Sequence, residues 1–85
     1  MMNIFFFWNL SNVKKPYGGI YYSVNVYKQV DCKIFRVKRL VFHWYKKSNG
    51  SGGYKSFVPK NKEWIYPSPN SVEHSSIEYI CKNYF

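Results

Sequence analysis

The side chains that could perform chemistry are few in this chain of 85 residues: two histidines, two cysteines and four carboxylates. Catalysis needs such groups within hydrogen-bond reach of one another. His43 and His74 are far apart in the sequence, and the acids show no paired spacing. The positions of the histidines between Cys32 and Cys81 do not match the short paired spacings of structural zinc sites. We therefore expect no catalytic residue, no metal ion and no cofactor, and hence a protein that is not an enzyme.

Basic residues interleaved with aromatic ones are the chemistry that remains. The segments 33–39 and 43–47 place Lys, Arg and His beside Phe, Trp and Tyr. Lys and Arg neutralise phosphates, and exposed rings stack on unpaired bases, which favours RNA over duplex DNA. The sequence therefore predicts a nucleic-acid-binding surface. Its candidate residues are Lys33, Arg36, Lys38, Arg39, His43, Tyr45, Lys46, Lys47, Lys55, Lys60 and Lys62.

The net charge supports a polyanionic partner. Thirteen Lys and Arg face four Asp and Glu, which gives a formal net charge of +9. Residues 1–62 hold twelve of these bases and one acid, whereas residues 63–85 hold one base and three acids. Nine Tyr, seven Phe and three Trp exceed what one small core can hold, so some rings must be exposed. The alternatives are an acidic protein partner, an anionic membrane surface, which we do not expect, and a solvated charged face without a ligand.

A resemblance gives this charge a biological setting. In size, charge and composition, and in the segments 33–39 and 43–47, the chain resembles the small anti-defence proteins of T-even bacteriophages. The chain is rich in Lys, Asn, Tyr, Phe and Ile, whose codons are AT-rich, which indicates a low-GC genome such as those of many bacteriophages. The resemblance implies inhibition of a host defence toxin, foremost the endoribonuclease ToxN of a toxin–antitoxin system, with RNA in the complex. A protein–protein inhibitor of another defence nuclease, such as a CRISPR effector, and a general nucleic-acid-binding regulator are the alternatives, and the oligomeric state is left open.

The ends of the chain and its cysteines suggest a compartment. The apolar stretch 3–10 is short and lacks the basic region and cleavage site of a secretory signal. No stretch approaches the roughly 20 apolar residues of a membrane span. We therefore expect a cytoplasmic protein, in the host cell if phage-encoded, in which Cys32 and Cys81 are reduced thiols.

The elements that must position these residues are mainly strands. The apolar stretch 3–10 predicts a central strand, and the Pro and Gly residues of 11–19 predict a turn. Residues 20–28 alternate, which predicts a half-buried strand with Ile20, Tyr22, Val24 and Val26 on one face.

The long segment 33–46 changes its alternation once, which predicts a β-bulge at Lys38 and Arg39. The bulge would place the apolar residues on one face and Arg36, His43 and Tyr45 on the other. The inward residues would be Phe35, Val37, Leu40, Phe42 and Trp44.

The rest of the chain predicts a loop over 48–53, a strand over 54–58, a short fifth strand over 64–66 and a helix over about 70–83. The helix would begin at Asn70 and bury the stripe Val72, Ile77, Ile80, Cys81 and Tyr84. We therefore predict an α+β fold: one domain over residues 1–85, with an antiparallel sheet of four to five strands within 3–66 and one C-terminal helix.

Overall fold

Four antiparallel strands in chain order form the body of the protein, and one C-terminal helix packs on one side of them. The computed structural model describes residues 4–84. The strands follow one another in the sheet as a meander, β1-β2-β3-β4. The elements are β1 Ile4–Tyr17, β2 Tyr21–Asp31, β3 Arg36–Tyr45, a short 3-10 turn Ser48–Gly50, β4 Tyr54–Phe57 and α1 Val72–Tyr84. This confirms the predicted fold class.

The first strand is longer than predicted and lies at the edge of the sheet, so the predicted central position was wrong, and the turn predicted over 11–19 is confined to the end of that range. β1 pairs with β2 up to Asn12, and after an irregularity Tyr17 pairs with Tyr21. The reversal occurs at Gly18 and Gly19, whose φ angles are +60° and +77°. Pro16 is tolerated inside β1 because an edge strand has one side without ladder hydrogen bonds. The predicted start at residue 3 lies outside the described residues.

A bulge interrupts the pairing of β2 with β3, one residue beyond the predicted place. Tyr27 pairs with Val41 and Lys28 pairs with Arg39, which leaves Leu40 as the extra residue. The predicted bulge at residues 38 and 39 is therefore wrong, because both stay in regular register. As a consequence Lys38 and Arg39 lie on opposite faces of the sheet. Phe35 lies before β3 in a turn, with a φ of +63°.

The two faces of the sheet differ in what covers them. On the helix face, Val30 and Val37 are opposite each other in register and pack with Ile77 of α1 as the fully buried core. A disulfide joins Cys32, just after β2, to Cys81 of α1, with the Cα atoms 5.6 Å apart. The expectation of reduced thiols was therefore wrong, since a disulfide persists in oxidising compartments. The other side of the sheet carries no helix, and we call it the open face.

The helix begins at Val72, and its N-cap lies one residue after the predicted cap, Asn70. Ser71 is the cap, because its Oγ accepts a hydrogen bond from the His74 amide at 3.0 Å, as N-cap side chains do. Asn70 instead adopts the left-handed region at a φ of +71°. The predicted stripe is confirmed at Ile77, which is fully buried, but Val72 is 85% exposed. The side chain of Tyr84 lies outside the described residues. Within residues 4–84, no helix is long and apolar enough to cross a membrane.

The predicted fifth strand reduces to a single bridge. Ile65 exchanges two backbone hydrogen bonds with Val37, at 2.9 and 2.7 Å. Because side chains alternate along an extended segment, Trp64 and Tyr66 on either side of Ile65 lie towards the open face. The bridge therefore adds two rings to the open face, beside Arg36 and Lys38.

Candidate functional site

Six aromatic side chains form a continuous cluster on the open face, which we call the aromatic row. They come from all four strands at positions that share this face in the register. The neighbouring rings are close: Trp8 lies 4.9 Å from Tyr27 and 4.8 Å from His43, and His43 lies 4.6 Å from Tyr54. The members are Phe6, Trp8, Tyr27, His43, Tyr45 and Tyr54.

The aromatic row is uncovered by any other part of the described chain. Phe6 is 50% exposed, Trp8 46% and Tyr54 56%, and Leu10 beside them is 46% exposed. Half-exposed rings on a contiguous patch are unusual on a monomeric soluble protein, and such patches mark interaction surfaces. The aromatic row is therefore the first candidate site.

An unpartnered polar atom lies within this surface. Asn25 pairs with His43 on β3 and with Leu10 on β1, so its side chain lies between them on the open face. Its Oδ1 is buried and has no hydrogen-bond partner in the described part of the chain. Asn25 therefore places a buried amide oxygen among the rings of this face.

One end of the open face is basic. The Arg36 guanidinium lies 4.1 Å and the Lys38 ammonium 4.5 Å from the centre of the Trp64 ring, as in cation–π contacts. Arg36 Nε also donates to Asp31 Oδ2 at 3.0 Å. Burial raises the pKa of Asp31, but the backbone amides of Ile34 and Lys33, together with Arg36, outweigh it and hold this pKa below its ordinary value. Asp31 stays ionised and holds Arg36 through its Nε atom. Part of the hydrogen-bonding capacity of the Arg36 guanidinium is therefore used within the protein.

Two of the bases are directed into the fold. Lys28 Nζ lies 2.6 Å from Glu73 Oε2 and 3.1 Å from Asn9 Oδ1, and Arg39 pairs with the other oxygen of Glu73. Burial raises the pKa of Glu73, but the hydrogen bond and charge of Lys28, followed by those of Arg39, outweigh it and lower this pKa. The three charges therefore tie the start of α1 to the sheet.

The structure does not bring the predicted nucleic-acid-binding residues onto one surface. Four of them lie on the open face in the register: Arg36, Lys38, His43 and Tyr45. Arg39 and Lys55 lie on the helix face, paired in register with Lys28 and Trp44. The remaining residues are exposed in connecting segments outside the strands: Lys33, Lys46, Lys47, Lys60 and Lys62.

A second cluster of rings forms a concave site, which we call the aromatic pocket. It lies on the side of the sheet that carries α1 but beyond the helix, since only residues of β1 to β4 line it. Its volume is about 420 Å³, within the range of about 300–1,000 Å³ typical of small-molecule sites. The lining residues are Tyr17, Tyr21, Phe42, Trp44, Lys55, Ser56 and Phe57.

Sequence reasoning missed the part of Trp8 and Phe6 in the open face. The signal was present, because Phe6, Trp8 and Leu10 are two residues apart and must share one face of a strand. The alternation is hidden because Phe5 and Phe7, which alternate with Phe6 and Trp8 along β1, are also apolar. They line the groove between β1 and the helix.

The comparison with protein families gives one match. The family model described as "Surface-adhesin protein E" matches residues 3–82. No curated protein matches the chain.

Solved structures share the fold. Crystal form II of Haemophilus influenzae protein E is 22% identical, with a TM-score of 0.78, and the match covers 96% of this chain and 69% of that chain. Protein E of non-typeable Haemophilus influenzae is also 22% identical, with a TM-score of 0.69, covering 96% of this chain and 60% of that chain. At this identity the likeness shows the fold alone.

The family match overturns several expectations. A surface-adhesin family does not fit a bacteriophage anti-defence protein, an RNA or toxin partner, or a cytoplasmic location, so these predictions were wrong. The predictions were wrong because they were based on size, charge and composition, and none of these identifies a particular binding partner. An AT-rich coding bias raises the Lys, Tyr and Phe content whatever the protein binds, and a charge of +9 attracts polyanions of every class.

Proposed function

The chain belongs to the surface-adhesin protein E family, and from this premise we propose that it is an adhesive binding protein that works outside the cytoplasm. It holds a protein of another cell's surface on the open face and performs no reaction. The observation that carries the proposal is the uncovered aromatic row.

The disulfide supports a place outside the cytoplasm. Cysteines in the cytoplasm are kept reduced by glutathione and thioredoxin, whereas disulfides persist in the periplasm and at cell surfaces. Cys32 and Cys81 are 49 residues apart in sequence, yet their bond joins the helix to the sheet beside the core. A domain of this size buries a small core and commonly depends on such a cross-link.

The composition of the open face suits a protein partner. Interface cores are enriched in Trp and Tyr, which bury a large area and have few side-chain torsions to fix, while charged residues lie at the rim. Here Trp8, Tyr27 and Tyr54 lie within the aromatic row, and Arg36 and Lys38 lie at its end. A row of half-exposed rings drawn from all four strands matches the broad surface of a folded protein better than a small molecule.

Adhesion of protein-coated beads tests the proposal. Beads coated with the oxidised protein should bind cultured animal cells, and Trp8→Ala should weaken binding of the soluble protein to those cells by about 30-fold, which corresponds to the 2 kcal/mol that defines a hot spot. Val72→Ala is the control, because it truncates an apolar side chain that is 85% exposed at the start of α1, on the other side of the sheet from the aromatic row. Circular dichroism establishes that both variants are folded.

Two outcomes would contradict the proposal, and they differ in meaning. If wild-type beads adhere no better than beads without protein, the adhesive function is wrong. If a folded Trp8→Ala protein binds as the wild type does, adhesion occurs through another surface than the aromatic row.

A further inference from the structure

The aromatic pocket is an exposed apolar site that the fold does not need for its own core. The helix α1 has 13 residues and is therefore about 20 Å long, whereas the longest dimension of the molecule is 40 Å. α1 lies over the end of the sheet that holds Val30 and Val37, and its first turn reaches Lys28. The other end of the helix face is left uncovered, and the aromatic pocket occupies it.

The rings of this pocket are arranged in layers. The Tyr17 and Trp44 rings are stacked, with centres 4.4 Å apart and planes 15° apart. The Phe42 ring is nearly parallel to Trp44, with planes 5° apart and centres separated by 6.4 Å. Tyr17 is 60% exposed and Phe57 at the far side is 55% exposed. The pocket therefore offers flat apolar ring surfaces to a ligand.

Flat ring surfaces of this kind suit the apolar side of a sugar. The face of an aromatic ring carries partial negative charge. The C–H groups on one side of a pyranose carry partial positive charge, because each carbon is bonded to oxygen, so they are attracted to a ring face. The hydroxyl of Tyr17, which lines the pocket, can exchange hydrogen bonds with sugar hydroxyls.

The charge of the pocket selects an acidic sugar. Lys55 lies opposite Trp44 in register and is exposed. Among residues 4–84 the structure shows ion pairs for Lys28, Arg36 and Arg39 but none for Lys55. None of the described residues that line the pocket carries a carboxylate. A carboxylate or sulfate on the ligand would therefore pair with Lys55 without displacing an internal partner.

We propose that the aromatic pocket binds an acidic sugar unit of a cell-surface glycan, with its apolar side stacked on the rings around Trp44 and its carboxylate or sulfate paired with Lys55. The net charge of +9 increases the rate at which such an anionic polymer encounters the protein. This site is separate from the open face. The sugar-binding proposal can therefore be refuted while the adhesive function is retained, and the adhesive function can be refuted while the sugar-binding proposal is retained.

The test compares an acidic and a neutral oligosaccharide. Isothermal titration of the oxidised protein with a hyaluronan hexasaccharide, in which every second sugar carries a carboxylate, should show binding, and neutral chitohexaose should bind at least about tenfold more weakly. Trp44→Ala should weaken hyaluronan binding at least about tenfold, as expected for loss of a stacked ring. Trp8→Ala removes the same side chain from the open face and should leave it within about twofold.

Lys55→Gln tests the charge separately. It should weaken hyaluronan binding and make it less dependent on salt, whereas Lys60→Gln, which removes an equal charge outside the pocket, should do neither. Phe57→Ala, at the exposed edge strand, replaces Trp44→Ala if that variant is not folded by circular dichroism.

The proposal is overturned if hyaluronan does not bind, if the two oligosaccharides bind equally, or if the folded Trp44→Ala or Phe57→Ala protein binds as the wild type does. Equal loss with Lys55→Gln and Lys60→Gln would show attraction by net charge alone, which also overturns it. Bead adhesion that is lost in Trp8→Ala but kept in Trp44→Ala would retain the adhesive function in each of these cases.

Discussion

The disulfide between Cys32 and Cys81 should supply a large share of the stability of this protein. Its removal in the double variant Cys32→Ala/Cys81→Ala leaves the sheet and helix sequences unchanged but frees the end of α1 from the sheet. A cross-link stabilises mainly by restricting the unfolded chain, and the effect grows with the length of the closed loop.

The magnitude follows from the sequence separation of 49 residues. A loop of this length corresponds to a loss of about 4 kcal/mol at 25 °C in the chain-entropy model. The whole free energy of unfolding for 85 residues is about 4–13 kcal/mol, so the bond should supply at least about a third of it. In a domain of this size, a change of 4 kcal/mol corresponds to a fall in Tm of roughly 15–30 °C.

Urea denaturation followed by circular dichroism measures this difference. The oxidised wild type is compared with the double variant, and wild-type protein under reducing agent is the control, because it keeps both sulfur atoms and lacks only the bond. The dependence of the free energy on urea should also be smaller for the oxidised protein, since a cross-linked unfolded chain exposes less surface.

Two results would refute this reasoning. Free thiols detected in denatured protein that was never reduced would show that the bond does not form. A stability difference below about 1 kcal/mol between oxidised and reduced protein would show that the bond forms without restricting the unfolded chain as the loop length requires.

Three further perturbations test the interior. Glu73→Gln leaves Lys28 buried without its counter-charge and should lower the free energy of unfolding at pH 7 by about 2–3 kcal/mol in urea titrations. The pKa of Glu73 is lowered in the folded state, so its contribution to stability is complete above the ordinary value of 4.5 and is lost as the pH falls through the folded-state pKa. The Glu73→Gln variant should lack this loss of stability in acid. If the variant and the wild type lose stability with pH in the same way, Glu73 is not the group responsible. Ile77→Ala should cost about 2–5 kcal/mol in the same assay, because the side chain is fully buried, and a cost below 1 kcal/mol would place the core elsewhere. Ser71→Ala should cost about 1 kcal/mol by loss of the cap to His74, whereas Asn70→Gly, which removes the side chain of the predicted cap and tolerates its positive φ, should cost less; the reverse order in the urea midpoints would contradict it.

Much of the fold follows from local patterns in the sequence. The alternation of β2 places Val24 and Val26 on one face, and the structure buries both. The break in alternation within residues 33–46 correctly indicates a bulge. Its position is wrong by one residue because a bulge can be moved along a strand with little change to the apolar pattern, whereas the pairing of Lys28 with Arg39 is fixed by Glu73 of a distant helix.

Contacts between distant segments were beyond the reach of these patterns. Glu73 and Lys28 are 45 residues apart in sequence, and Cys32 and Cys81 are 49 residues apart. The spacing of such residues carries no signal, because their neighbours in space are determined by where the helix packs. A pattern of charges along the chain therefore does not distinguish solvated bases from Lys28, which is buried, or from Arg39, which pairs with Glu73.

The candidate sites failed to emerge from the sequence for a related reason. Basic residues that are adjacent along the chain predict a common binding surface only outside strands, because adjacent residues of a strand lie on opposite faces. Lys38 and Arg39 are the clearest case, since one contacts Trp64 and the other contacts Glu73. Aromatic residues two positions apart, such as Phe6 and Trp8, are the better indicator of a common surface.

The length of the helix connects stability with binding in this fold. α1 covers one end of the sheet, and that end holds the core around Val30 and Ile77, the disulfide and the buried charge of Glu73. The other end of the helix face lacks such a cover, and there the rings around Trp44 stack on one another. The open face, with the rings around Trp8, has no helix over it in the described part of the chain. Because exposed rings are unfavourable in water unless a partner covers them, a sheet fixed at one end by a cross-link can present large apolar surfaces at the other and remain folded.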